Sequence, residues 1–382
     1  MELPIASKNL IKFCEERDHG SVFAPDDIAW RRYLEPCFAI SFETWSQLLG
    51  ARNQAGNNFD FEMALVGSTN APNAICGFDG GTNYILLYHS LPVCLLEFFS
   101  RLLCSTPILS DCGDKDPNDK RKKFSSPLGF AIASGEVAIG SMDEVISVFG
   151  SCSRERRDMA LRLYYFAMQF VIEHEMGHAV AGHGQFAAEE LCLPEINESE
   201  FRARSDSSTS NKIYAFLEER ADYGSYFTII NYPVLRYVQT DHQEQPHERK
   251  AIIEEVKLKI LAGASLAVFW MLCDVMEANG DVTAHEVWND HPSSVARAIS
   301  FCTTPIIAAQ NKLSKAVSDI VEQGVYAAWD ELFKLAGTSG LFRPFLQLRQ
   351  LDLHESVYAG RELERSEAEA ILRKLERYKY RS

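Results

Sequence analysis

The chain has 382 residues, 46% of them hydrophobic, and a formal net charge of −15. That length and apolar content support a packed core in one large domain or two modest ones. The acidity argues against a nucleic-acid-binding surface, which needs a basic patch to meet phosphates. The basic run Lys120-Arg121-Lys122-Lys123 is local and reads as a solvated loop. Ten cysteines are scattered between Cys14 and Cys302 with no C-x-x-C spacing, which suits reduced thiols in a cytoplasmic protein. The N-terminus has no signal-peptide apolar run, and the longest apolar stretch, 260–273, is too short to span a bilayer. No transmembrane segment is expected.

Taken in chain order, residues 5–50 read as mostly helical, with a polar, glycine-containing break at 53–58. Residues 59–66 open with strict apolar–polar alternation, the signal of a half-buried strand. A second strand is expected over 83–88, behind the turn-former Asp79-Gly80-Gly81. A helix follows over 91–104, then a charged loop over 111–126, one or two short strands within 128–139 and a short helix at 142–149. A long helix is expected over 153–181, ending near Gly182 and Gly184. The stretch 194–210 is rich in Ser, Glu and Arg and reads as a mobile loop. Residues 213–230 are helical, 240–249 a polar loop, and 254–278 an apolar helix. His291-Pro292 opens another helix through Cys302, and the rest is mostly helical, ending in a charged amphipathic helix at 362–380.

The most informative feature lies in the last turns of the long helix. It is His174-Glu175-Met176-Gly177-His178, an H-E-x-x-H motif. Residues i and i+4 share one helix face, so His174 and His178 can grip one Zn²⁺ together. Glu175 beside the first ligand suits a general base that takes a proton from water.

A catalytic zinc site needs a third protein ligand. A histidine ten residues after the first, as metzincins have, would fall on Gly184, and His183 is one residue early. The glycine of that pattern would fall on Ala181, so that class is excluded. His183 as a direct ligand would need a break in the helix, because it lies about 140° from His178. A role behind the ligands suits it better. The stretch Leu217-Glu218-Glu219-Arg220-Ala221-Asp222 offers a carboxylate on a following helix. Glu218 and Asp222 share a face at i, i+4, so Glu218 can bind the metal while Asp222 accepts the spare N–H of a ligand histidine. Glu219, about 100° away, is the rival.

With these residues in place, the chain resembles the gluzincin metallopeptidases of the CAAX-prenyl-protease type, which include heat-shock proteases of the HtpX kind. Four segments match in the family's order: Pro72-Asn73-Ala74-Ile75 with Gly80-Gly81 and 83–91; H-E-x-G-H-x-x-x-x-H at 174–183; E-x-x-A-D at 218–222; and His291-Pro292 with Arg297. The resemblance implies an α+β, predominantly helical fold: a zincin-like metallopeptidase domain with a small β-sheet and an active-site helix. It implies a catalytic domain over 55–305, flanked by an N-terminal helical segment at 1–54 and a C-terminal helical extension at 306–382. It further implies one Zn²⁺ per chain and a protein or peptide substrate. The strand Asn73, Ala74, Ile75 and Cys76 would line the cleft and pair with extended substrate as an edge strand does. His291 and Arg297 would stand near the substrate or the oxyanion. Compared with that family, the chain carries a long insertion at about 91–168, expected to serve as a lid, a specificity element or the site of a regulatory partner.

Overall fold

The computed structural model describes residues 6–22, 31–67, 72–105, 108–113, 153–193, 195–197, 209–240, 246–279, 304–306, 309–310, 313–338, 342 and 365–380. Among these residues the fold is mostly helical around a mixed five-stranded sheet, an α+β arrangement. The strands expected within 128–139, the helix at 142–149 and the basic run at 120–123 lie outside the described residues.

The chain opens with helix α1 (Lys8–Glu16), capped by Ser7, whose hydroxyl accepts from the Leu10 N–H. Strand β1 (Ser21–Val22) and helix α2 (Arg31–Ser46) follow. The alternating stretch becomes β2 (Phe61–Gly67), and a hairpin of β3 (Ala74–Asp79) and β4 (Thr82–Tyr88) turns at Gly80-Gly81. Sheet order is β1-β2-β4-β3-β5, where β5 is Glu195–Asn197. β2 and β4 run parallel and the other neighbours antiparallel.

Strand alternation sends side chains to two different cores. Val66, Ile75, Tyr84, Leu86 and Tyr88 meet Leu10 and Phe13 of α1 on one face. Leu65, Ala74, Cys76, Ile85 and Leu87 face the main core on the other. That core is built by α3 (Ser90–Ser105), the long α4 (Arg154–Val180), α8 (Pro246–Asn279) and α9 (Lys315–Thr338). Between them come α5 (His183–Glu190), α6 (Thr209–Tyr226), a π-turn at Phe227–Asn231 and α7 (Tyr232–Gln239). Helix α10 (Arg365–Leu375) leads into a final segment through Tyr380. Residues of α2, α9 and Tyr380 join the same apolar cluster as α3 and α4. No described helix is long and apolar enough to cross a membrane.

Three sequence expectations change. The loop expected over 194–210 contains β5, and the helix after it begins at Thr209. β5 has too few residues to show a period, and its partner strand is remote in sequence. The polar loop expected to Arg249 ends sooner, because α8 starts at Pro246, a residue suited to a first helical turn. Most consequentially, β3 is not an edge strand. β4 flanks one side, and β5 pairs antiparallel along Ile75, Cys76 and Gly77 on the other. Asn73, Ala74, Ile75 and Cys76 are all buried.

The described parts of the 91–168 segment are core helices rather than a cover. Leu91 to Leu103 of α3 packs against Ala160 to Met168 of α4. The fully buried Arg156 ties their ends together. Its guanidinium donates to the carbonyls of Leu103 (2.6 Å), Ile108 (3.0 Å), Gly113 (3.1 Å) and Leu109 (3.4 Å). A Cβ built on Gly113 would lie 2.4 Å from Ser153 Oγ, so the segment after α3 lies against the N-cap of α4.

Candidate metal centre

Helix α4 is long enough to carry its last turns into the interior beneath the sheet. Its N-terminus is capped by Ser153, which accepts from the Arg156 N–H at 3.3 Å. Just before the motif, the buried Glu173 accepts from Ser41 Oγ (2.6 Å) and Trp45 Nε1 (2.8 Å), which fixes α2 against α4. Among the residues that follow, His174, Glu175 and His178 are all buried.

Helix α6 crosses α4 at Gly177. A Cβ there would sit 3.3 Å from both the Cα and the carbonyl oxygen of Ala221. Absence of a side chain on Gly177 therefore lets the two backbones meet and brings Glu218 to the histidines. Glu218 Oε2 lies 3.1 Å from His174 Nε2, and Oε1 lies 3.4 Å from His178 Nε2. The two histidine Nε2 atoms are 3.0 Å apart. One ligand atom from each of the three residues falls within 4.8 Å of the others, and all three residues are buried. Glu219, one residue on, is exposed. The choice between the two carboxylates is thus made by which helix face is covered.

The groups behind these atoms engage the two Nδ1 positions, and the Nε2 atoms converge on each other and on Glu218. Asp222 Oδ1 accepts from His174 Nδ1 at 2.8 Å. His178 Nδ1 is paired with His183 Nδ1 at 3.0 Å. His183 reaches this position because α4 ends at Ala181 and Gly182 takes the left-handed conformation (φ 73°), so that a new helix starts at His183. Gly182 also lies against the Tyr378 carbonyl, which a Cβ would approach to 2.4 Å. The final segment crosses there, with Tyr380 N–H donating to the Val180 carbonyl at 3.2 Å.

Electrostatics agree with a cation site. Burial pulls the His174 imidazole down, but Glu218 and Asp222 outweigh it and push it up to about 10. Burial would raise Glu218, yet His178 and His174 hold it below the usual carboxylate range. Burial pushes Asp222 up to about 6 against its bond to His174. Burial, reinforced by the nearby His178, keeps His183 well below the ordinary histidine value, hence neutral. Glu218 Oε2, although close to His174, makes no aligned hydrogen bond. One proton on His174 can serve only one of these converging acceptors at a time, whereas a cation at their common point serves all three. The residues therefore fit a metal ion, and two histidines with one carboxylate are donors that suit a divalent transition metal.

Cys76 of β3 is within electrostatic reach of the centre. Burial raises its thiol well above the ordinary value, and the charges of Glu175 and Glu218 add to the effect. The structure thus brings His174, Glu175, His178, Glu218, Asp222, His183 and Cys76 into one neighbourhood. Asn73, Ala74 and Ile75 precede Cys76 on the same buried chain segment. His291 and Arg297 lie outside the described residues. Sequence reasoning missed the helix crossing at Gly177 and the final segment at Gly182. For the crossing, the alignment of Gly177 with the small Ala221 between the ligands was the available signal. No family model, no curated protein and no solved structure matches the chain.

Proposed function

We propose that the protein is a zinc-dependent endopeptidase on a zincin-like domain, a divergent member of the gluzincins that its motifs resemble. The observation that carries this reading is the buried convergence of His174, His178 and Glu218, with Glu175 next to the first ligand on the same helix. His174, His178 and Glu218 would hold one Zn²⁺. When bound, zinc acidifies a water and polarises a carbonyl. Glu175 takes the proton from the attacking water and passes it to the leaving amine. Asp222 holds His174 in the tautomer that presents Nε2, and His183 does the same for His178. His291 and Arg297 are assigned to the oxyanion on the motif resemblance. The substrate is a protein or peptide, and a regulatory partner at the 91–168 segment is part of the same reading. No two of the described cysteines form a disulfide with each other, which suits a cytoplasmic setting.

A second reading is a zinc-bound regulatory or interaction protein without turnover. It draws on the depth of the centre, since His178 is fully buried and Glu175 only 4% exposed. Metal analysis and cleavage assays on an unfolded protein separate the two. For the peptidase, wild type and Glu219→Ala hold one zinc each, and Glu218→Ala loses it. Glu175→Gln keeps its zinc and loses hydrolysis by about 10²–10⁴-fold, the usual contribution of a general base. Full activity in Glu175→Gln would refute the mechanism. Zinc without cleavage, by wild type and by the variants below, would favour the second reading.

A further inference from the structure

The outer side of β3 is filled by a piece of the same chain. Resting on the peptidase reading, we propose that β5 is the protein's own occupant of a peptide-binding edge. We propose also that the substrate is an extended polypeptide placing a branched apolar side chain where Ile196 now sits. β5 pairs with β3 antiparallel, with Ile75 opposite Asn197, Cys76 opposite Ile196 and Gly77 opposite Glu195. This is the geometry of strand addition, in which main-chain hydrogen bonds supply affinity and alternate side chains supply selectivity.

Three observations place this pairing beside the metal centre and give it a removable character. Cys76, opposite Ile196, is within electrostatic reach of Glu175 and Glu218. Ile196 is 2% exposed and belongs to an apolar cluster with Phe186, Tyr214 and Leu217, the last being the residue before Glu218. Over its described residues β5 spans three positions, against six for β3 and seven for β4. Side-chain ties add to that pairing. Glu195 Oε2 meets His19 Nε2 at 2.9 Å, while Tyr214 donates to the Glu195 carbonyl at 3.3 Å. His19 is fixed in turn by Tyr88 at 2.9 Å. With His174, Glu175, His178 and Glu218 all buried, a polypeptide reaches them only after some covering element moves. Among the described residues β5 is the shorter of the two strands paired with β3, and its departure exposes both a strand edge and the pocket of Ile196.

The test ejects β5 in one variant and locks it in another. Ile196→Asp puts a charge in the apolar pocket and should release the strand. Ile196→Cys faces the native Cys76 across an antiparallel pair, so oxidation can lock it and reduction unlock it. Zinc stripping by EDTA reads access to the centre without reference to catalysis. Binding of a fluorescent peptide copying residues 191–197 to an Ile196→Asp/Glu175→Gln protein reads the vacated edge. We expect Ile196→Asp to lose zinc at least tenfold faster than wild type and to bind the peptide, and a peptide with Asp in place of the isoleucine not to bind. Oxidised Ile196→Cys should lose zinc at least tenfold more slowly than its reduced form. Equal stripping rates in the locked and reduced forms would overturn the proposal even if Ile196→Asp fails to fold. Faster stripping and peptide binding without cleavage by any variant would keep β5 as the occupant and remove the peptidase reading. Cleavage by the locked form as fast as by the reduced form would keep the peptidase and remove β5 from its control.

Discussion

A methyl group added at Gly177 should damage the metal centre more than the fold. The Cβ of Gly177→Ala would stand 3.3 Å from both Cα and carbonyl oxygen of Ala221. Ordinary carbon contacts lie at about 3.5–4.0 Å, and backbone cannot swing aside as a side chain can. The helices must therefore part by roughly 0.3–0.5 Å. Metal–ligand distances tolerate about 0.2 Å, so Glu218 would be drawn off the histidines by more than the site absorbs. Zinc affinity should fall at least tenfold, which is about 1.4 kcal/mol. Alanine's better helix propensity returns up to about 1 kcal/mol, so the metal-free protein should unfold in urea within about 1 kcal/mol of wild type. Gly177→Val adds overpacking of about 1–3 kcal/mol, so both zinc affinity and metal-free stability should drop. Ala221→Val, altering the other side of the contact, should behave alike. Affinity is read by competition with a chromophoric chelator, and stability by urea melts with and without zinc. If Gly177→Val bound zinc within about twofold of wild type, given a tolerance of about 0.2 Å, the close helix approach would not be what sets the ligand geometry.

Other expectations test the surroundings. Asp222→Ala should lower zinc affinity about 10–100-fold, and Asp222→Asn, which can still accept from His174 Nδ1, should lower it less; equal losses would mean that charge rather than orientation matters. Zinc affinity should also climb with pH. Despite burial, Glu218 and Asp222 raise His174 to about 10, so the metal-free protein keeps a proton there below that pH, and metal must displace it. The apparent affinity should rise about tenfold per pH unit between roughly pH 7 and 9 and flatten above His174's own titration; an affinity independent of pH in that window would show that no proton is displaced. Arg156→Met should cost about 3–5 kcal/mol in urea unfolding, because the carbonyls of Leu103, Ile108 and Gly113 lose a buried charged donor. A loss below about 1 kcal/mol would show that water replaces the guanidinium.

Residue order alone was enough for whatever repeats within a few residues. The i, i+4 spacing of His174 and His178 puts both on one face of any helix they form, and an apolar run around them makes that helix internal. The alternation at the start of β2 and the turn between β3 and β4 are equally local. The positions of Glu218 and Asp222 on one face follow from the same helical period, and they meet the histidines as that period allows.

Tertiary structure decided everything that depends on two distant segments meeting. Glu218 and Glu219 are chemically equivalent, and only the packing of α6 on α4 at Gly177 buries one and exposes the other. His183 is out of helical phase with His178 and returns to it only through the left-handed turn at Gly182. β3 reads as an edge strand until β5 arrives from more than a hundred residues later, carrying no period of its own. The reason is common to all three. Local spacing is dictated by backbone geometry, whereas burial, crossing and strand pairing are dictated by which surfaces the rest of the chain leaves to be covered.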